Sequence, residues 1–136
     1  MRRQGSRARS QTGSIEHVIL HILRRSELEQ ARRAGSYTPP SLENEGFIHC
    51  STEHQVVETA NLFFGGQGDL VIIVIDESRL RAELKHEAPA SRGHERTDGL
   101  FPHLYGPLNL DAVTAVHEFP CDAEGRFELP VALRAK

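Results

Sequence analysis

The sequence predicts a small α+β domain in which strands outnumber helices. Three observations carry this. Leu70-Val71-Ile72-Ile73-Val74-Ile75 is apolar without interruption, which is how a central strand covered on both faces reads. Two stretches, Ser26 to Gly35 and Thr52 to Gly66, carry helix-start and helix-stop signals around helical spacing. The remaining apolar runs are short, strand-like and separated by Gly, Pro and charged residues. A chain of 136 residues matches one domain able to bury most of the surface its unfolded form exposes. Residues 15–136 are therefore read as a single domain behind a basic segment, residues 1–14.

That first segment holds Arg2, Arg3, Arg7 and Arg9 among Ser, Gln and Gly. Such a composition cannot bury enough apolar surface to order itself, so a solvated tail is expected. It lacks the apolar segment of a secretory signal, and no later run is long enough to span a bilayer. No membrane partner and a cytoplasmic location are the expectation.

His17 to Leu23 reads as a first strand, with Val18, Leu20 and Ile22 on one face and His17, Ile19, His21 and Leu23 on the other. Ser26-Glu27-Leu28-Glu29 has the capping-box pattern, predicting a helix from there to about Ala34, stopped by Gly35. A polar connection holding Pro39-Pro40 leads to a short strand, Phe47 to Cys50. Thr52 and Gln55 form a second capping-box pattern, and Val56, Val57, Ala60, Phe63 and Phe64 make an apolar helical face ended by Gly65-Gly66. The central strand, Asp69 to Ile75, follows. Leu84 to Glu87 predicts a short strand and Ala88 to Gly99 a loop. Val113 to Phe119 predicts another strand, then a turn near Asp122 to Gly125 and a last strand, Phe127 to Leu129.

The formal net charge of −3 gives no whole-protein argument for nucleic acid. RNA remains a weakly supported partner, through the arginine-rich tail alone. Cys50 and Cys121 make neither a disulfide framework nor a zinc-ligand set, and both read as structural. No H-x-x-x-H or C-x-x-C spacing occurs, so no metal is expected. Gly65-Gly66-Gln67-Gly68 lacks a phosphate-loop lysine and precedes a strand; it is a turn. Nothing in the sequence fixes the oligomeric state.

Three imidazoles sit inside apolar, strand-like runs. His21 lies between Leu20 and Ile22, and its ring nitrogens need partners if it is buried. A core histidine bonded to backbone and a site histidine both satisfy that. His49 shares a face with Phe47. Ser51 follows where strand gives way to helix, and amides there suit an anion, although a plain helix cap by Ser51 or Thr52 explains the same residues. His49 and Cys50 are adjacent and face opposite sides, which argues against a nucleophilic pair. His103 and Tyr105 share a face with Phe101. An imidazole beside a phenol can bind a planar ring, position a hydroxyl or pass a proton. Pro102 and Pro107 bracket that pair and predict an edge strand or stiff loop rather than a central strand. Glu87, beside His86, can supply a carboxylate.

These segments, in this order, resemble a bacterial family, domain-of-unknown-function family 952. The likeness rests on Leu20-His21-Ile22, the helix ending in Ala34-Gly35, and Glu45-Gly46-Phe47-Ile48-His49-Cys50-Ser51-Thr52. It continues through Phe63-Phe64, Leu70 to Asp76, and Leu100-Phe101-Pro102-His103-Leu104-Tyr105-Gly106-Pro107-Leu108, and covers roughly residues 16–130. That family is similar to compact ADP-ribosyltransferase-like domains, whose superfamily also includes RNA 2′-phosphotransferases. The resemblance implies mixed or antiparallel sheets with two main helices around a central cleft. It implies that His21 holds the nicotinamide-side ribose or amide and that Ser51 stands near the nicotinamide pocket. The third-motif polar group falls among His103, Tyr105, Glu87 and Glu118, and NAD is the cofactor implied. No run of glutamates and no counterpart of the phosphotransferase arginines accompanies these motifs.

The expected function is a nucleotide- or NAD-related group-transfer or hydrolytic enzyme working in a histidine-lined cleft. His21, His49, His103 and Glu87 form its expected catalytic set; Ser51, Thr52 and Tyr105 grip the substrate. The other reading is a non-catalytic module that binds a nucleotide or small anionic metabolite in the same cleft.

Overall fold

The computed structural model describes residues 17–89 and 99–134. The arginine-rich tail and most of the loop expected between Ala88 and Gly99 lie outside these. In chain order the elements are β1 (Val18–Arg24), α1 (Arg25–Ala34), β2 (Ser36–Tyr37), α2 (Pro40–Glu45), β3 (Ile48–His49), α3 (Val56–Phe63), β4 (Leu70–Asp76), β5 (Glu83–Glu87), β6 (Phe101–Tyr105), β7 (Leu108–Asn109) and β8 (Val113–Glu118). Short 3-10 turns follow β4 and β7 and lie near the C-terminus. The architecture is α+β, and the described strand pairs are antiparallel. They form three small sheets, ordered β1-β4-β8, β2-β7 and β3-β6-β5.

β4 organises the molecule as its sequence requires. Leu70 to Ile75 are all buried, and β1 and β8 flank them. Val71, Ile73 and Ile75 pack with Ile19, Leu23, Leu28, Ile48, Leu104 and Leu108 on one side of the sheet. Leu70, Ile72 and Val74 pack with Leu20, Ile22, Val56, Ala60, Phe119 and Phe127 on the other. A strand with two cores must be apolar at every position, because alternation would bury a polar side chain on one face.

Several elements depart from the sequence reading. α1 begins two residues earlier than Ser26 implies. The Arg24 amide donates to Glu27 Oε1 at 2.8 Å, so Glu27 reaches back to the helix start and Glu29 does not. Gly35 does end the helix, at φ 93°. The Pro39-Pro40 connection contains a strand, β2, and a one-and-a-half-turn helix with Pro40 in its first turn, where a missing N–H costs nothing. α3 begins at Val56 rather than next to Ser51 or Thr52. Phe127 to Leu129 is not a strand. Phe127 instead buries its ring against Phe119, centroids 4.8 Å apart, and donates its amide to Asn61 Oδ1.

The largest departure is β6, the centre of its sheet rather than an edge. Pro102 is tolerated because a strand residue directs N and C=O to the same neighbour. The Pro102 carbonyl accepts from the Cys50 amide at 3.0 Å, so its missing N–H falls where β3 has already ended, and the β5 ladder is untouched.

Gly46 sets the direction of β3. It closes α2 at φ 91°, with its amide donated to the Leu42 and Ser41 carbonyls. An added Cβ would meet nothing within 4 Å, so only backbone strain opposes substitution. Gly46→Ala should therefore lower stability by about 1 kcal/mol, read as a lower urea midpoint with an unchanged slope. An unchanged midpoint would show that this turn is not held left-handed.

Candidate active site

A cleft of about 330 Å³ lies between the α1–α2 connection and the end of α3. His21 from β1, His49 from β3 and the two residues after it, Cys50 and Ser51, border its polar side, with Tyr37, Ser41 and Glu27. Phe63, Phe64, Phe101, Pro39 and Pro40 supply apolar walls. Phe63, at the end of α3, is 46% exposed.

The geometry around His21 fixes its protonation. Its Nδ1 lies 2.6 Å from the His49 carbonyl oxygen, which can only accept, so Nδ1 carries the hydrogen. Its Nε2 lies 2.9 Å from the Tyr37 hydroxyl. Burial pushes the His21 imidazole down to about 4, against the raising effect of the His49 carbonyl bond. At neutral pH Nε2 therefore offers a lone pair, and the Tyr37 hydroxyl donates to it. Burial, with Glu27 and Cys50 nearby, raises the Tyr37 phenol. The residue that completes this chain, Tyr37, escaped the sequence reading. It sits in a short polar stretch, and its one signal was a lone aromatic between Gly35 and Pro39.

His49 has a carboxylate partner. Its Nε2 lies 2.8 Å from Glu45 Oε1, the last residue of α2, with Gly46 turning the chain between them. The pair is partly exposed, with His49 36% and Glu45 47% accessible at the side chain. A carboxylate that takes one imidazole N–H fixes the tautomer and leaves the other nitrogen for proton transfer. Glu45 was quoted in the sequence only as part of a motif; its signal was the four-residue spacing to His49 across a glycine.

Ser51 borders the cleft, but its backbone is already engaged. Its amide donates to the Leu20 carbonyl at 2.8 Å, and the Leu20 amide donates back to Ser51 at 2.7 Å. The Thr52 amide donates to Gln55 Oε1 at 2.9 Å. These two amides, expected to receive an anion, are thus taken. Thr52 lies away from the cleft, beside a second hollow bordered by Glu53, His54, Glu77 and His86. Cys50 borders the cleft with its thiol pushed up to about 12 by burial, which makes it a poor nucleophile.

His103, Tyr105 and Glu87 assemble with one another, not on the cleft lining. His103 is 2% exposed. Its ring stacks on Phe47, centroids 4.2 Å apart and 21° between planes. Glu87 Oε1 accepts from His103 Nδ1 at 2.8 Å and from the Tyr105 hydroxyl at 2.7 Å. Those two bonds hold the Glu87 carboxyl below its ordinary range and raise the Tyr105 phenol. Lys85 Nζ stands 4.8 Å from the Tyr105 ring centroid, within cation–π range. His49 touches both regions, with its ring 5.7 Å from His103 and edge-on. Glu118, at the end of β8, pairs with Arg25 at the start of α1 and does not border the cleft. Among the described residues no group of His, Cys, Asp and Glu is placed to hold a metal ion. No helix among them is long and apolar enough to cross a membrane.

A family model described as "Protein of unknown function (DUF952)" matches residues 22–116. The crystal structure of protein CC0527 from Caulobacter crescentus is 37% identical with a TM-score of 0.71, over 85% of this chain and 97% of that one. The solution NMR structure of the same protein is 34% identical with a TM-score of 0.63, over 83% and 93% respectively. No curated protein matches.

Proposed function

The chain belongs to the DUF952 family, and we propose that it is a group-transfer or hydrolytic enzyme acting on a nucleotide-like substrate held by its ring-and-sugar end. The observation that carries this is the Glu45–His49 pair at the edge of an aromatic-walled cleft. The cleft volume, about 330 Å³, falls at the small end of ligand pockets. Its phenylalanine and proline walls suit a flat ring.

On this reading His49 is the proton carrier, oriented by Glu45. His21 stays neutral and holds the Tyr37 hydroxyl in place. Ser51 borders the same space, as does Ser41, whose hydroxyl already donates to the Phe47 carbonyl. The likeness to ADP-ribosyltransferase-like domains belongs to this proposal, with NAD as the substrate and ribose C1′ as the reacting carbon. The aromatic and proline walls suit the flat nicotinamide ring of NAD. Its pyrophosphate finds no lysine or arginine among the described lining residues, so the phosphates are placed outside.

A binding module without turnover is the second reading. It is favoured by His21, whose ring nitrogens are both hydrogen-bonded and whose low proton affinity unfits it to carry a proton. Incubation with NAD separates the two. Release of nicotinamide, reduced about a hundredfold in His49→Ala with NAD affinity changed less than threefold, is the expected result. NAD binding with no nicotinamide released would leave the binding module standing.

A further inference from the structure

We propose that Tyr37 is the specificity-determining residue of the cleft and that it selects ligands whose flat ring bears an uncharged hydrogen-bond donor. This rests on the cleft being the ligand site, as above, and adds the class of group that seats there.

Hydrogen-bond polarity is passed along three residues, His49, His21 and Tyr37. A backbone carbonyl has no hydrogen to give, so the His49 carbonyl dictates that His21 Nδ1 is the donor. A neutral imidazole with hydrogen on Nδ1 has a lone pair on Nε2. The Tyr37 hydroxyl, 2.9 Å away, must therefore point its hydrogen at His21. Its oxygen then has acceptor capacity alone to offer a ligand. The carbonyl of one strand thus sets the polarity of a phenol on another.

An amide N–H, an amino group or a ribose hydroxyl can bond to that oxygen. A carboxylate or phosphate oxygen meets lone pair with lone pair. The described lining adds no fixed positive charge to offset this, since it includes the carboxylate Glu27 and neither lysine nor arginine. The amides of Ser51 and Thr52 are taken by Leu20 and Gln55. Reversing the preference requires a second proton on His21, which its burial opposes. A site whose fixed polar group must be matched discriminates more sharply than one that only fills space.

Benzamide and benzoate test this directly, since they share a ring and differ in the group offered. Both are titrated into the full chain at pH 7.5, with amide chemical shifts of the cleft residues followed by NMR. Benzamide should bind at least about tenfold more tightly than benzoate, the factor one well-formed hydrogen bond supplies. Tyr37→Phe keeps the ring and should bring benzamide down to the affinity of benzoate. Equal affinities in the unaltered protein, a preference for benzoate, or no shift from either compound would overturn the proposal. So would a benzamide preference that survives Tyr37→Phe. AMP and NAD are titrated alongside. If they fail to bind while benzamide still wins over benzoate, the nucleotide reading falls and the donor selectivity stands; if they bind and the pair is not discriminated, the reverse holds.

Discussion

Acidification from pH 7 to pH 4 should remove roughly 3 kcal/mol of folding stability through His21 alone. The imidazole has an ordinary value of 6.5 and is pushed down to about 4 in the folded protein, chiefly by burial. Between those two values the unfolded chain holds a proton that the folded chain lacks. Stability therefore rises with pH across that window and is lost as pH falls from about 6.5 to about 4. Below it, His21 contributes no further slope. The depressed carboxyls of Glu87, Asp111 and Asp122 act in the same direction but lower on the scale, since their unfolded values are those of ordinary carboxylates. Their contribution is present above about pH 4 and is lost below it. Urea unfolding at pH 7, 5.5 and 4.5 reads the His21 effect, with His21→Gln as the reference that cannot titrate. The variant should lose much less stability than the unaltered protein over this range, whatever its stability at pH 7. Parallel losses would mean that His21 is not held neutral.

How much of this was legible in the sequence depended on whether a feature was local. β4 was visible because a strand with two buried faces must be apolar throughout, and six consecutive residues met that condition. The Gly35 helix stop was visible because it needs a left-handed backbone, and Gly35 adopts one. The chemistry of His21 was half visible. Burial and the need for partners followed from Leu20 and Ile22, but the partners lie 16 and 28 residues away and no local pattern names them. Tyr37 and Glu45 were passed over for the same reason, each lying in a polar stretch whose own periodicity says nothing.

The separation of His103 from the cleft has a different cause. Period-two alternation places Phe101, His103 and Tyr105 on one face of β6, and Phe101 does border the cleft. What alternation cannot give is what covers that face. Phe47, just before β3, stacks over His103, and neither residue borders the cleft. The expectation that Pro102 and Pro107 mark an edge failed similarly, because whether a missing N–H matters depends on where the neighbouring strand ends.

That burial leads to the second large effect. His103→Ala should cost about 3 kcal/mol of stability, within the range for truncating a buried ring and losing one of its hydrogen bonds, and lower the melting temperature by about 10 °C. The ring that stacks on Phe47 would leave a void against β3, and Glu87 would keep Tyr105 alone as its donor. Glu87→Gln should cost less than half as much, since the amide can still accept from Tyr105 and the ring packing is untouched. Because His103 lies outside the cleft lining, the folded fraction of His103→Ala should bind a cleft ligand such as benzamide within about threefold of the unaltered protein. His49→Ala should behave oppositely, since its side chain is partly exposed and its loss opens little buried space: near-normal melting, impaired turnover. If His103→Ala melted normally and lost the ligand, His103 would belong to the binding surface, and Phe47, which stacks on it, would have to move when the ligand enters.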